Sequence, residues 1–371
     1  MNKLIDQTIG LYVHIPFCEN KCPYCNFYSL SNNDFLIDKY IESVCLSIKK
    51  WSEHISNKVD TLYLGGGTPS LIGENRINKI IETAAKYFSL QNPEITIEIN
   101  PTKGKVLDFN YLKSAGVNRL SVGLQSSNEN ELKILGRKHT KEDVKALSDS
   151  AHKAGFDNIS FDLMLAIPNQ TEKSLKESID FCNLNNVSHI STYLLKIEEG
   201  THFYIKQNTL NLPNEEKTVN LYFTACEYLE KYGYKQYEIS NFSNPQKESK
   251  HNLKYWNCEE YLGIGPSAHS FINGKRFYYP NSLESFINKE KVIQDGNGGD
   301  QFEYSMLKLR LTNGIENREF KKRFYCNIPQ NYFKNALRYK DNGLVICTKD
   351  SIKLTRKGFI VSNELISKIL L

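Results

Sequence analysis

Cys18, Cys22 and Cys25 stand in the run Leu11-Tyr-Val-His-Ile-Pro-Phe-Cys-Glu-Asn-Lys-Cys-Pro-Tyr-Cys-Asn-Phe-Tyr28, a C-x3-C-x2-C spacing directly behind an apolar, strand-like stretch. Three thiolates on one short loop can hold a four-iron, four-sulfur cluster and leave one iron without a protein ligand, open to a small molecule. A structural zinc ion would need a fourth ligand to close its shell. No second C-x2-C supplies one at zinc-ribbon spacing. A disulfide framework suits the chain less well still, because it is long and its nine cysteines are odd in number. The other six (Cys45, Cys182, Cys226, Cys258, Cys326, Cys347) fall singly in predicted helices and strands and read as small buried apolar residues.

A second motif, Gly65-Gly-Gly-Thr-Pro-Ser70, is too short for a P-loop and lacks the G-x-G-x-x-G fingerprint. Glycines at a strand end still let backbone groups approach a ligand closely.

Positioning these residues calls for a repeated unit. From residue 11 to about 233 the chain alternates short β-rich runs with amphipathic segments; the strand candidates are 11–17, 61–65, 95–99, 119–124, 158–165 and 189–197. The helical period is clearest where Ile77, Ile80, Ile81, Ala84, Ala85 and Phe88 share one face. Asn214 is a plausible cap for a last helix ending at Gly233. Such alternation predicts right-handed βαβ units and a parallel sheet. Six units are fewer than the eight of a closed barrel, so the expected fold is α/β, an open partial (β/α)6 barrel resembling a TIM barrel, with its site at the C-terminal strand ends. The cysteine loop, the glycine run, Glu98-Ile-Asn-Pro101 and Gln125 fall at such ends, and Asp162 lies within the fifth strand.

Beyond residue 235 the pattern changes. Tyr234 to Phe242 could be a seventh strand, followed by His251-Asn-Leu-Lys-Tyr-Trp256 and Gly263-Ile-Gly-Pro-Ser-Ala-His269. Residues 236–295 read as a connecting region, with Asp295-Gly-Asn-Gly-Gly-Asp300 as a linker. Residues 296–371 read as a helical module with a hairpin around Lys349-Asp350, similar to a winged helix and suited to docking or to a lid.

At 371 residues the chain has room for about two domains and a sizeable core. The formal charge of +5 is spread rather than blocked, which does not indicate nucleic-acid binding. Tyrosine, at 22 residues, could supply stacking surfaces or half-buried core. The N-terminus lacks an apolar signal segment, and no run approaches the roughly 18 apolar residues of a membrane span. A reducing, cytoplasmic location follows as the expectation.

The cysteine triplet resembles the signature of the radical S-adenosylmethionine (SAM) enzymes, in which SAM chelates the fourth iron of a 4Fe-4S cluster and an electron breaks its sulfonium bond to release a 5'-deoxyadenosyl radical. Gly66, Gly67 and Thr68 resemble the segment that receives SAM's amino group. Across residues 11–371 the chain is similar to the oxygen-independent coproporphyrinogen III oxidases in Tyr-x-His-Ile-Pro-Phe-Cys, in Gly-Gly-Gly-Thr-Pro-Ser and in the order Glu98, Gln125, Arg137, Asp162. The resemblance implies that Glu98, Gln125 and Asp162 contact the ribose and methionine ends of SAM, that Arg137 pairs with its carboxylate, and that Tyr12 and Tyr24 pack on SAM or the cluster. A guanidinium does match a carboxylate through two parallel hydrogen bonds.

Two departures shift the subgroup. The oxidases carry a further cysteine two positions past the third, where this chain has Phe27, and an N-terminal extension before the first strand, which here begins by residue 11. The chain instead resembles the HemW-type haem chaperones, which carry the motif seen here as His251-Asn252-Leu253-Lys254-Tyr255-Trp256. Imidazole can be an axial ligand to haem iron, which makes His251 the haem candidate. The competing reading of His251 is a histidine bonded to a backbone carbonyl, with Trp256 in the core. His14 and His269 read as residues that orient backbone or cluster.

The resemblance therefore implies a protein that binds the cluster, SAM and haem, needs an electron donor, and delivers haem to an acceptor hemoprotein, with peripheral contact to a membrane hemoprotein within its reach. The alternatives are oxidative decarboxylation of coproporphyrinogen III propionates and an inactive scaffold that keeps the fold.

Overall fold

The six β-rich runs form the six parallel strands of a computed structural model that describes residues 8–31, 33–102 and 107–371. The N-terminal residues 1–7, read above as lacking an apolar signal, lie outside the described residues. The strands are β1 (Ile9–Ile15), β2 (Val59–Gly66), β3 (Leu90–Ile99), β4 (Arg119–Gln125), β5 (Ile159–Leu165) and β6 (His189–Leu194), hydrogen-bonded in sequence order.

Parallel strands covered on both faces usually read as continuous apolar runs. These alternate. Leu11, Val13 and Ile15, Leu62 and Leu64, and Ile95, Ile97 and Ile99 are buried on the helix side. The opposite face carries Tyr63, Glu98, Arg119 and Asp162 into a polar lumen, which a closed barrel would fill with branched apolar side chains.

The outer layer follows from local signals. Thr140 and Thr171 close capping boxes on Lys141–Lys153 and Glu172–Leu184, and the Asn214 side chain accepts from the Lys217 N–H at 2.8 Å to start Glu215–Lys231. In Glu74–Tyr87 the structure buries Ile77, Ile80, Ile81 and Ala84, each isoleucine worth about 1.5–3 kcal/mol of apolar burial. Phe88 follows as the buried cap residue, but Ala85 is exposed: it sits one position round from Ala84, off the stripe.

The barrel stays open because both edges of its sheet continue outward. Tyr234 to Phe242 is not a seventh parallel strand; it holds Lys235–Gln236 and Asn241–Ser243, and the latter pairs antiparallel to β6. On the other side Tyr261–Ile264 adds parallel to β1, followed by His269–Ile272, Lys275–Tyr278 and Ile293–Asn297 in antiparallel order. Residues 236–295 thus extend the main sheet at both edges, and the expected linker begins as its outermost strand.

In the C-terminal module the expected hairpin, Val345–Cys347 with Ser351–Leu354, is joined by Ile315–Glu316 into a three-stranded sheet. Helices Gln301–Lys308, Asn317–Phe324 and Gln330–Leu337 pack around it, and the final helix is divided near Val361.

Candidate functional site

The C-terminal ends of the strands assemble most of the expected residues. Cys18, Cys22 and Cys25 lie half-buried on the loop behind β1, all as free thiols, with the Cys25 N–H donating to the Cys22 carbonyl at 3.1 Å. Burial pushes the Cys25 thiol up from its ordinary range. Among the described residues no three His, Cys, Asp or Glu groups converge tightly enough for a single metal ion. A cluster that gives each thiolate its own iron suits such a triplet better than a mononuclear zinc site.

The glycine run turns back beside this loop. The Gly67 and Thr68 N–H groups donate to the Ile15 and Phe17 carbonyls at 2.8 Å each, which ties the end of β2 to the start of the cysteine loop. Glycine is required here: at Gly66 φ is +109°, and a Cβ would stand 2.5 Å from the His14 ring; at Gly67 it would stand 2.7 Å from the Phe17 carbonyl. His14 itself bridges the Tyr12 hydroxyl at 3.0 Å and the Tyr28 carbonyl at 3.1 Å, and burial lowers its pKa, so the neutral ring holds backbone in place.

From Cys18 a chain of hydrogen bonds runs to Arg137. The Thr68 hydroxyl donates to Cys18 Sγ at 3.6 Å and accepts from Asn100 Nδ2 at 2.9 Å, while Asn100 Oδ1 accepts from Arg137 Nη1 at 2.9 Å. Arg137 Nη2 donates to the Tyr24 hydroxyl at 2.8 Å, and Tyr24 packs on Phe203. Arg137 Nε is buried without a partner. A buried guanidinium donor left unsatisfied beside the thiol loop fits an anionic group of a ligand, such as the carboxylate of SAM. Asn100 stands in the strand-end run Glu98-Ile-Asn-Pro101 with no role of its own legible there, and Gly123 carries no sequence signal. Yet Asn100 joins Thr68 to Arg137, and a Cβ on Gly123 would stand 2.8 Å from Asn100 Oδ1.

Glu98 forms a second node. It accepts from the Tyr63 hydroxyl at 2.8 Å and from the Gly66 N–H at 2.9 Å. Burial, with Asp162 nearby, raises its carboxyl to about 7. Burial also raises Asp162, whose carboxylate accepts from Ser121 at 3.3 Å. Gln125 ends β4 in the left-handed region, φ +66°, which turns it out of the strand near Gly123.

Two histidines stand elsewhere. His269 is exposed on one of the added strands, stacked on Tyr278 with ring centroids 4.9 Å apart. His251 lies at the opposite end of the lumen from the thiols and is 1% exposed. Its Nδ1 pairs with Thr61 Oγ1 at 2.7 Å and its Nε2 with the Tyr255 hydroxyl at 2.8 Å. Neither nitrogen is open to haem iron in this arrangement, and neither meets a backbone carbonyl. Trp256 is half-buried under the Arg310 guanidinium, 5.9 Å from its ring centroid.

Comparison with known proteins finds relatives along the length of the chain. Residues 12–182 match the model of the radical SAM superfamily. The heme chaperone HemW of Lactococcus lactis is 34% identical over 99% of both chains, and that of Bacillus subtilis is 32% identical over 97% of this chain and 98% of that one. A mitochondrial radical S-adenosyl methionine domain-containing protein 1 of Danio rerio is 37% identical over 70% of this chain and 60% of its own. In three dimensions the coproporphyrinogen III oxidase HemN of Escherichia coli, a radical SAM enzyme, superposes with a TM-score of 0.85 over 99% of this chain and 91% of that one, at 20% identity. That likeness shows the fold: a radical SAM partial barrel with a C-terminal helical domain.

Proposed function

Because the chain belongs to the HemW family of haem chaperones within the radical SAM superfamily, we propose that it is a haem carrier that binds a 4Fe-4S cluster, SAM and haem and passes the haem to an acceptor hemoprotein. Cys18, Cys22 and Cys25 hold the cluster. Arg137 receives the carboxylate of SAM on its unpartnered Nε, and the backbone of Gly66, Gly67 and Thr68 faces the amino group. Glu98, Gln125 and Asp162 take the ribose and methionine ends, with Tyr12 and Tyr24 packed behind. A cluster held there would supply, once reduced, the electron for cleavage of SAM's sulfonium bond. This chain's residues orient SAM.

The observation that carries this reading is the relay Cys18–Thr68–Asn100–Arg137, which joins the thiol loop to an unsatisfied buried donor in a chain that follows the haem chaperones along its whole length. Phe27, 66% exposed where the resembling oxidases have a cysteine, favours a carrier over an oxidase. Nine free thiols suit a reducing compartment, which supports a cytoplasmic protein served by an electron donor. No helix among the described residues is long and apolar enough to cross a membrane, so contact with a membrane-bound acceptor would be peripheral.

The test is anaerobic reconstitution with iron and sulfide, followed by titration with SAM and with haem. The expected result is a cluster signal that changes on adding SAM and a haem Soret band that saturates. Absence of haem binding at all concentrations refutes the carrier.

A further inference from the structure

The helix Lys250–Trp256 closes the lumen at the end opposite the cysteine loop. Glu94 accepts from the Lys250 and His251 N–H groups at 3.2 Å each. Lys254, 3% exposed, reaches Asp60 at 2.9 Å and Glu259 at 3.2 Å. Gly10 leaves room for this plug, since a Cβ there would stand 3.0 Å from Lys254 Cδ and 3.1 Å from His251 Cε1.

Inside the plug both nitrogens of His251 are taken by hydroxyls. Burial, with Lys254 and Arg119 nearby, drives the imidazole down to about 3, so the ring is neutral. A neutral imidazole has one donor and one acceptor nitrogen, and two hydroxyls satisfy both in either tautomer. No lone pair is left for a metal.

The face of the ring is occupied as well. It stacks on Tyr63, with centroids 5.1 Å apart and planes 30° apart. Tyr12 closes over the same pair, 6.1 Å from Tyr63 and 6.3 Å from His251. Tyr63 donates to Glu98, and Glu98 accepts the Gly66 N–H. A Cβ on Gly65 would stand 2.7 Å from Tyr63 Cε1, so the glycine run is shaped around that ring. Where the Tyr63 ring sits therefore decides where the carboxylate and the Gly66 backbone sit.

We propose that His251 is a positioning residue: it clamps Tyr63 from the floor of the lumen, and through Tyr63 holds Glu98 and Gly66 in the arrangement that receives SAM, rather than ligating haem iron. The inference goes beyond the haem-carrier reading and stands without it. Haem, in this account, binds elsewhere on the chain.

The experiment uses the full chain with its cluster reconstituted anaerobically. SAM binding is followed by the change it causes in the electron paramagnetic resonance of the reduced cluster, and haem binding by the Soret band. His251→Ala lowers SAM affinity about tenfold, as expected for the loss of two buried hydrogen bonds behind the Tyr63 ring. Its cluster content and haem affinity stay at the wild-type level. His251→Gln, which keeps one donor and one acceptor, recovers part of the SAM affinity. Tyr63→Phe keeps the stacked ring and loses only the bond to Glu98; it weakens SAM binding in the same direction, so the inference remains testable if His251→Ala fails to fold. Combined with His251→Ala it adds less than the product of the two effects, because both act through one contact. Loss of the Soret band in His251→Ala, with SAM affinity within twofold of wild type, overturns the proposal. A wild-type protein that binds no haem removes the carrier reading and leaves the SAM titrations to decide this one.

Discussion

Glu98 carries the clearest consequence at the scale of single residues. Its carboxyl is raised from an ordinary 4.5 to about 7 by burial, so the folded protein binds a proton there that the unfolded chain has released. That contribution to stability is complete below pH 4.5 and is lost as pH rises toward 7 and through it. Glu98→Gln is therefore expected to flatten the fall in Tm of the ligand-free protein between about pH 4.5 and 7; an unchanged slope would mean that the carboxyl titrates normally. Glu238, raised likewise to about 7, leaves a residual slope in the variant. Arg137→Lys keeps the charge but loses the planar fork, and SAM affinity should drop about tenfold with cluster content intact, read by the same resonance titration. Residues of this kind differ in how far the sequence discloses them. The three cysteines are legible because their spacing is local. Asn100 and Gly123 are not, because Asn100 acts through Thr68 beyond β2 and Arg137 in the loop between two helices, and Gly123 only leaves room for Asn100. His251 marks the sharpest divergence: its motif is plain in the sequence, but the partner that seals Nδ1, Thr61, lies 190 residues away.

Strands and helices were legible wherever periodicity is strong. The strands β1 to β6 fall where alternating or apolar runs predict them, and the helix Glu74–Tyr87 follows its isoleucines. The added strands escaped because their pairing is not local. Tyr261–Ile264 runs into Gly263-Ile-Gly-Pro, which reads as a turn, and becomes a strand only because the free edge of β1 takes it up. The turn that ends β2 leaves no room for a side chain. Gly66→Ala forces a Cβ toward the His14 ring at φ +109°, and strain of this kind costs about 1–3 kcal/mol. Chemical denaturation should show that loss, and the SAM response should disappear with it; a variant of full stability with normal SAM response would mean that the turn tolerates a side chain.

At the scale of the whole molecule, the C-terminal module is fastened to the barrel rather than hinged beside it. Arg323 Nη2 donates to the Cys258 carbonyl at 2.7 Å, Lys308 Nζ donates to Asn257 Oδ1 at 3.1 Å, and Arg356 pairs with Glu230. Helix Gln301–Lys308 packs directly on the floor helix that carries His251. A chain cut after residue 300 would uncover this packing and is expected to be recovered as aggregate; a soluble monomer of that length would show that the module is dispensable for folding. The barrel, its thiol loop and the plugged lumen thus form one body with the C-terminal module. What separates a haem carrier from a porphyrinogen oxidase most directly is parallel anaerobic incubation of the reconstituted protein, with SAM and a reductant, with haem and with coproporphyrinogen III. The account predicts a stable haem Soret band and coproporphyrinogen III recovered unchanged. Decarboxylated product without haem binding would contradict it.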